Sequence, residues 1–176
     1  PTARAAPGTA TATATPAPAG IAAVDGAVEA AIARGEVRGV VAVVVRHGEV
    51  VHRRAYGDVS VAPAREPMRV DAVFDLASLT KPLATTLAVQ KLVESGRVRL
   101  DAPAARYLPE LAASGKGAVT VEQLLLHTSG LPADTALGAW RGGRSAAIAR
   151  ALARQLDAAP GARLRYSDIG FVVLGA

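Results

Sequence analysis

The 176-residue sequence contains no cysteine, which excludes disulfide bonds, thiolate zinc sites and a cysteine nucleophile. It has only three histidines, His47, His52 and His127, and none of the spacings typical of metal sites, such as H-E-x-x-H, occurs among them. The residues therefore imply no metal and no organic cofactor.

Aromatic residues make up only 3% of the chain, although 51% of it is hydrophobic. The length allows one domain with a core, and that core must be built largely from Ala, Val and Leu. The longest apolar run, residues 39–45, is much shorter than the about 20 residues needed to cross a bilayer, so no transmembrane segment is predicted.

Lysine is scarce as well, since seventeen of the twenty Lys and Arg residues are arginine. The net charge of +5 would permit an anionic partner. The arginines are scattered, however, and no basic run or aromatic interleaving of the kind used by nucleic-acid sites is present. We therefore expect no nucleic-acid partner.

The two ends differ from the rest of the chain. Residues 1–19 are rich in Ala, Thr and Pro, lack large apolar side chains, and predict a flexible tether. The chain starts with Pro, and it stops inside the apolar run IGFVVLGA. The expectation is a periplasmic or secreted protein, with a cytoplasmic one as the alternative, and a domain over 20–176 that is cut before its natural end.

Hydrophobic periodicity predicts a helix carrying Ile21, Val28 and Ile32 on one face, ended by Gly35. A hairpin follows, with a strand over residues 39–46, a turn at His47-Gly48 and a returning strand over 49–56. The apolar first strand predicts burial on both faces and neighbours on both edges. Because only two convincing strands occur, we expect the missing neighbours after residue 176, in a larger α/β domain.

Helical patterns dominate the second half. The longest covers residues 78–95, with a stripe of leucines and a terminating glycine. Thr120 and Gln123 predict a capping box. The stripe is Leu79, Leu83 and Leu87, with Leu92 and Val93 further on, and the glycine is Gly96. Further predicted features are a short helix capped by Asp101 with Pro103 in its first turn, a helix capped by Ser145 that carries Ile148, Leu152 and Leu156, and a final helix from about Asp168.

Ser78 and Lys81 are three residues apart in the predicted helix. At that spacing two side chains share a face, with Cβ atoms about 5–6 Å apart. Lysine can take the proton of a serine hydroxyl if burial or a nearby cation lowers its pKa. The alternative is a purely structural role, in which Ser78 only caps the helix and Lys81 extends into solvent.

A second polar cluster, Tyr166-Ser167-Asp168, precedes the final helix. Tyr166 is a candidate proton shuttle, and Asp168 a candidate partner for the Lys81 ammonium. Each also has an ordinary explanation, with Tyr166 as a core aromatic and Ser167 or Asp168 as a helix cap.

Four stretches, taken in order, resemble the serine β-lactamase and penicillin-binding-protein superfamily. The similarity is greatest to the branch of class C β-lactamases, D-alanyl-D-alanine carboxypeptidases and related esterases. The stretches are FDLASLTKPLATT, which resembles the S-x-x-K segment, LVESGRVRLDAPAARYLPEL after that helix, VTVEQLLLHTSGLP, and RYSDIGFVVLGA, which resembles the Y-x-N region.

The resemblance implies an α+β fold of the β-lactamase/transpeptidase type, in which helices flank an antiparallel sheet and form a helical subdomain. It implies that Ser78 is acylated, with its backbone N–H forming half of an oxyanion hole. Lys81 or Tyr166 would take the first proton, and Tyr166 would protonate the leaving group. The family's third motif, K-T-G or H-x-G, does not occur before residue 176, so we expect this piece to be incomplete and inactive alone.

Asp168 stands where penicillin-recognising members usually have Asn. An ionised Asp only accepts hydrogen bonds, and it favours the charged form of Lys81. We therefore expect Asp168 to contribute to substrate binding and to shift specificity from β-lactams toward esters or other small acyl substrates.

His127 invites a Ser–His interpretation, but no G-x-S-x-G elbow is present, and a structural role in the HTSGLP loop is favoured. The leading hypothesis is a serine hydrolase that acts on esters, D-Ala peptides or β-lactams. The alternatives are a penicillin-recognising sensor that deacylates too slowly for turnover, and a purely structural domain. Nothing in the sequence indicates an oligomeric state.

Overall fold

The computed structural model describes residues 19–134 and 140–176. The predicted tether lies outside the described residues except for Ala19, which begins the first helix. The chain divides into two compact units between Asp75 and Leu76, and each is described by itself.

In the first unit, helix α1 spans Ala19–Ala33, and Gly35 follows with φ +72°, as the sequence predicts. Strands β1 (Gly39–Arg46), β2 (Glu49–Ser60) and β3 (Glu66–Pro67) form an antiparallel sheet in the order β1-β2-β3. The predicted hairpin is confirmed, and β2 runs on to Ser60 instead of ending at Tyr56. His47 and Gly48 both have positive φ, which suits a tight turn between twisted strands.

The prediction that β1 is buried on both faces is wrong for the described residues. Val43 is 51% exposed and Val45 is 59% exposed. Within the part of the chain that the structure describes, β1 pairs only with β2. An apolar run predicts a strand, but its burial depends on what packs against its faces and its second edge.

A polar cluster joins α1 to β2. The buried Tyr56 hydroxyl donates to the Asp25 carboxylate, and the His52 Nε2 atom lies 3.0 Å from the same hydroxyl oxygen. Arg54 pairs with Asp25 at 3.2 Å and with Glu29 at 3.3 Å. Burial and the hydrogen bond to Asp25 raise the pKa of Tyr56, so its phenol remains a donor. This cluster fixes one face of the sheet against the helix.

The second unit begins with a helical segment of three geometries. A 3-10 turn spans Ala77–Leu79, a π-helical stretch spans Lys81–Thr86, and α-helix α2 spans Leu87–Glu94. Gly96 ends the segment with φ +69°, as predicted. Pro82 has no N–H to donate within the ladder, and such interruptions accompany widened helical turns.

The predicted core stripe of this helix is wrong for its three leucines at 79, 83 and 87, whereas Val93 further on does pack against the core. Leu79, Leu83 and Leu87 are each more than half exposed, and α2 reaches the core through Val89 instead. Residues four apart also share a face in a π-helical stretch, and the similar exposure of the three leucines agrees with this. Within the part of the chain that the structure describes, nothing covers that face.

The remaining helices of the unit are short and surround one apolar core. The core includes Leu111, Leu124 and Ile169, each no more than 1% exposed. The elements are a 3-10 turn at Ala104–Arg106, α3 (Glu110–Ala113), α4 (Val121–Leu125), α5 (Gly143–Ala153) and α6 (Asp168–Leu174). None of the helices in the described ranges is both long enough and apolar enough to cross a membrane.

Two of the four predicted helix starts in this region are confirmed, since α6 begins at Asp168 and the capping box at α4 is complete. Thr120 Oγ1 accepts from the Gln123 N–H at 3.1 Å, and the Gln123 side chain accepts from the Thr120 N–H at 3.0 Å. This reciprocal pair satisfies two backbone donors at the start of α4. It also fixes the entry to the HTSGLP loop, which follows the same helix.

The other two starts are wrong. Asp101 forms an ion pair with Arg99 at 2.7 Å, and the residue that precedes the 3-10 turn is Pro103, which provides no side-chain cap. Ser145 lies inside α5, which begins after Gly142 with φ +100°. In both cases a residue whose side chain could cap a helix lies near the helix but not at its first position. Leu156, which the sequence pattern predicts to be in the same helix as Ser145, lies beyond the end of α5.

Lys116 is a buried residue with an anchoring role. Its side chain is enclosed, and its Nζ atom donates to the carbonyl oxygens of Arg154 at 2.9 Å and Ser114 at 3.4 Å. These residues are the C-caps of α5 and α3. Burial lowers the pKa of Lys116. The lysine satisfies carbonyl groups at two helix ends that have no intrahelical partner.

Gly130 is required where the HTSGLP loop meets residues 157–161. Its φ is +82°, and a Cβ atom there would lie 2.1 Å from the Ala158 carbonyl oxygen. The two loops are joined by backbone bonds from Asp157 N–H to the Gly130 carbonyl at 2.9 Å and from Gly161 N–H to the Thr128 carbonyl at 2.8 Å.

We predict that Gly130→Ala destabilises the protein more than Gly115→Ala. Gly115 also has a positive φ, but nothing lies within 4 Å of a Cβ placed on it. Its substitution should cost only the backbone strain, about 1–2 kcal/mol. Gly130→Ala should cost about 1–3 kcal/mol more, because the Ala158 backbone must move.

Urea unfolding of the full-length protein measures the difference between these two variants. Equal decreases in the free energy of unfolding for the two variants would contradict this prediction. They would show that the contact at Gly130 does not constrain the HTSGLP loop.

Candidate active site

Ser78 lies on a strained turn. Ala77, the preceding residue, has φ +44°, a conformation that non-glycine residues rarely adopt. The Leu79 N–H closes a 3-10 turn on the Leu76 carbonyl at 2.9 Å. Ser78 is inside this turn, and the residue in the N-cap position is Leu76, so the alternative in which Ser78 merely caps the helix is wrong.

The Lys81 side chain turns inward toward the serine. Its Nζ atom donates to the Ser78 Oγ atom at 3.2 Å, and the side chain is only 14% exposed. The alternative in which Lys81 extends into solvent is therefore wrong. The i,i+3 spacing produces the contact expected of it, although the helix is not a regular α-helix at this point.

Tyr166, two residues before α6, and Asp168 both lie close to the same ammonium. Asp168 is the first residue of α6, and its carboxylate forms a close ion pair with Lys81. The Lys81 Nζ atom lies 4.8 Å from the centre of the Tyr166 ring, and both Lys81 and Ser78 act on the pKa of the tyrosine hydroxyl. The structure thus brings together all four residues that the sequence singled out.

Two opposing effects act on Lys81. Burial alone would lower its pKa, but hydrogen bonds and charge interactions with Asp168 and Tyr166 outweigh burial and raise it above the ordinary value. Lys81 is therefore an ammonium ion at neutral pH. An ammonium ion donates hydrogen bonds and cannot accept a proton from Ser78.

Tyr166 responds in the opposite direction. The hydrogen bond from Lys81, followed by the one shared with Ser78, lowers the pKa of the Tyr166 phenol, and both outweigh the opposing effect of burial. Its anionic form is thus more accessible than that of a free tyrosine. Of the groups around Ser78, the phenol is the one whose environment favours the anionic form, and this anion can take a proton.

His127 connects the HTSGLP loop to this cluster. The sequence did not predict this connection. Its Nδ1 atom accepts from the Ser167 N–H at 2.9 Å, and its carbonyl oxygen accepts from the Arg165 N–H at 2.7 Å. The imidazole ring contacts the rings of Tyr166 and Phe171, with centroid distances of 4.5 and 5.0 Å. The predicted structural role for His127 agrees with these contacts, but it extends beyond the loop.

Ser167 fixes the start of α6. Its buried hydroxyl accepts from the Gly170 N–H at 3.0 Å, as an N-cap does, and donates to the Pro132 carbonyl at 2.6 Å. The Asp168 N–H also donates to the Ala133 carbonyl at 2.8 Å. A serine directly before an apolar helix signals the cap, but nothing in the sequence signals the bond to Pro132.

With this geometry established, comparison with known proteins identifies the family. The sequence profile of the β-lactamase family matches residues 24–176, and the chain belongs to that family. The resemblance drawn from the four sequence stretches is therefore confirmed, as is the α+β fold with an antiparallel sheet and helices.

Three similar proteins illustrate the range of the family. Esterase EstB of Burkholderia gladioli is 50% identical over 97 residues, which cover 53% of this chain and 24% of the esterase. An N-acetylmuramyl-L-alanine amidase of Bacillus subtilis (strain 168) is 33% identical over 173 residues, which cover 86% of this chain and 38% of the amidase. The crystal structure of a class C β-lactamase in complex with cefoxitin is 28% identical, with a TM-score of 0.73 over 88% of this chain and 42% of that one. The chain thus spans about a quarter to two-fifths of the length of these proteins.

We predict that His127 titrates below the ordinary histidine range. Burial and then the positive charge of Lys81 lower its pKa, while Asp168 acts in the opposite sense with less effect. The unfolded chain, with a histidine pKa of about 6.5, then binds the proton more tightly than the folded protein does. The contribution of His127 to stability is therefore fully present above about pH 6.5 and is lost as the pH falls from there through the lower pKa of the folded state.

An NMR titration of the His127 imidazole in the full-length protein checks this prediction. His47→Asn is the control substitution, because His47 is exposed yet shares a positive φ with His127. His127→Asn should weaken the acid dependence of the unfolding free energy, and His47→Asn should not. A His127 midpoint at or above the ordinary value would contradict the assignment.

Proposed function

We propose that the full-length protein is a serine hydrolase that works through an acyl-enzyme formed on Ser78. The observation that carries the proposal is the position of the Lys81 ammonium, which contacts the Ser78 hydroxyl, the Tyr166 phenol and the Asp168 carboxylate together. A serine hydroxyl is a weak nucleophile until a nearby base takes its proton. The contacts around Ser78 supply a base, and a cation that stabilises the anionic form of that base.

We assign the first proton transfer to Tyr166. Its phenolate takes the proton of Ser78 Oγ, and Oγ bonds to the acyl carbon of the substrate. Tyr166 then gives this proton to the leaving group as the bond between the acyl carbon and the leaving group breaks. In deacylation Tyr166 takes a proton from water, the water oxygen attacks the acyl carbon, and the proton returns to Ser78 Oγ as the acid is released.

Lys81 acts in this scheme as a fixed cation. It keeps the Tyr166 pKa low throughout the cycle and is itself held by Asp168. We assign the backbone N–H of Ser78 to the stabilisation of the developing oxyanion, as the family resemblance implies.

Small esters are the substrate class we propose. A carboxylate at position 168 only accepts hydrogen bonds, so it cannot donate to a substrate amide carbonyl as an asparagine can. It also places a negative charge beside the serine, and this charge opposes the approach of a substrate carboxylate such as that of a β-lactam. The similarity to esterase EstB supports the same substrate class.

Substitution of Ser78 tests the proposal directly. We predict that the full-length protein hydrolyses p-nitrophenyl acyl esters and binds a fluorophosphonate covalently, and that Ser78→Ala abolishes both. Tyr166→Phe should lower kcat by about 100-fold or more, because it removes the acid–base group. Steady-state kinetics and mass spectrometry of the labelled protein measure these effects.

The outcomes also separate the alternatives. Stoichiometric labelling of Ser78 without turnover would support a sensor that acylates but does not release its acyl group. Absence of labelling at Ser78 would contradict the hydrolase and favour a structural domain.

We predict that Asp168→Asn moves the specificity toward β-lactams. The ratio of kcat/KM for nitrocefin to kcat/KM for a neutral acyl ester should rise by about 10-fold, the effect of roughly one hydrogen bond. The same substitution should lower the Lys81 pKa, because the ion pair is lost. Both effects follow from replacing an acceptor and its charge by a neutral group that can donate.

Asp101→Asn is the matched control, since it removes an exposed carboxylate that pairs with Arg99 on the surface of the same unit. This control should leave the substrate ratio unchanged. An unchanged ratio in Asp168→Asn would show that residue 168 does not set the substrate preference.

A further inference from the structure

We propose that His127 is a positioning residue for Tyr166, and that its neutral imidazole holds the phenol against Ser78 and Lys81. The inference rests on the proposed function, because it assigns to Tyr166 the proton transfers described above. It goes further by placing the control of this tyrosine in the HTSGLP loop, 39 positions earlier in the sequence.

The backbone geometry gives the first argument. Arg165 donates its N–H to the His127 carbonyl at 2.7 Å, and Ser167 donates its N–H to the His127 Nδ1 atom at 2.9 Å. Tyr166 is the residue between these two donors. One residue therefore fixes the backbone on both sides of the tyrosine, once through its own main chain and once through its side chain.

The ring contacts give the second argument. The His127 ring lies 4.5 Å from the Tyr166 ring, at an interplanar angle of 32°, and 5.0 Å from the Phe171 ring. Tyr166 is 47% exposed, so the surrounding protein confines its ring only in part. The contact with His127 restricts the ring on one side while the Lys81 ammonium lies against its face.

The protonation state gives the third argument. Because Nδ1 accepts a hydrogen bond, the single proton of the neutral ring is on Nε2. Protonation of Nδ1 would place one N–H against the Ser167 N–H and break the bond. The charged and titratable groups that act on the imidazole are Lys81, which disfavours its cation, and Asp168, which favours it less strongly; the phenol of Tyr166 lies in direct contact.

The backbone conformation of His127 suggests a matched pair of variants. Its φ is +58°, a value that Asn and Gly tolerate better than other residues do. His127→Asn retains a side-chain acceptor close to the position of Nδ1, and His127→Gly removes it. Both variants accept the backbone conformation and both lose the imidazole ring, so their difference isolates the hydrogen bond to Ser167.

The kinetic test compares these two variants in the full-length protein with a p-nitrophenyl ester. We expect His127→Gly to lower kcat by about 10- to 100-fold with little change in KM, since a small displacement of an acid–base group has effects of this size. His127→Asn should recover part of kcat through the hydrogen bond to Ser167, and the loss that remains should report the missing ring contact with Tyr166. In a Tyr166→Phe background the two variants should no longer differ, because the group that they position is absent.

A second readout does not require turnover. The ionisation of the Tyr166 phenol can be followed by its ultraviolet absorbance, as the difference between each protein and its Tyr166→Phe counterpart. The pKa of the phenol should remain below its ordinary value in the unmodified protein and in His127→Asn, and should move toward that value in His127→Gly.

The two readouts distinguish the possible failures. A protein without Ser78-dependent hydrolysis would overturn the proposed function, while the phenol titration would still decide the role of His127. Equal Tyr166 pKa values in His127→Asn and His127→Gly would overturn the positioning role. So would a kcat difference between these variants that persists in the Tyr166→Phe background.

Discussion

The ion pair between Lys81 and Asp168 is the interaction on which the rest of the site depends. A lysine with a largely enclosed side chain would tend to lose its proton, and the adjacent carboxylate prevents this. The retained charge has two consequences. It makes Lys81 a poor proton acceptor, and it makes the Tyr166 phenol easier to ionise, so that a phenolate is available as the base. The division of roles among the four residues thus follows from one electrostatic contact.

The scaffold around this contact is made of helix ends and loops rather than of long helices. Ser78 is placed by a strained turn at Ala77, and Asp168 is placed by the Ser167 cap of α6. The HTSGLP loop and the residue after it hold the start of α6 through His127 and through the carbonyls of Pro132 and Ala133. Backbone hydrogen bonds and positive φ angles therefore determine the site geometry more than the packing of large side chains does, as suits a chain with few aromatic residues.

Features that depend on neighbouring residues were predictable from the sequence. The Ser78–Lys81 contact, the Thr120–Gln123 capping box and the start of α6 all follow from spacings of a few residues. The family and its fold followed from four short stretches taken together. The proximity of Tyr166 and Asp168 to Lys81 depended on that resemblance, because no local rule joins positions 81 and 168.

The errors have physical causes. The leucine stripe of the predicted helix over residues 78–95 and the predicted burial of β1 failed for the same reason. A periodic or apolar pattern predicts an element, but its burial depends on what packs against it. The proposed caps at Asp101 and Ser145 failed because a suitable residue near a helix does not locate its boundary. The bond from Ser167 to His127 was beyond prediction, since it requires the positive φ of His127 and a contact between distant segments.

The most direct test of the central claim is the charge of Lys81. NMR of the full-length protein with ¹³C-labelled lysine can follow its Cε resonance, identified by its loss in Lys81→Met, as the pH is raised. The account predicts that Lys81 remains protonated at neutral pH and loses its proton only above the ordinary lysine value of 10.5. A Lys81 that is already neutral at pH 7 would contradict the account and would make the lysine, not the tyrosine, the base for Ser78.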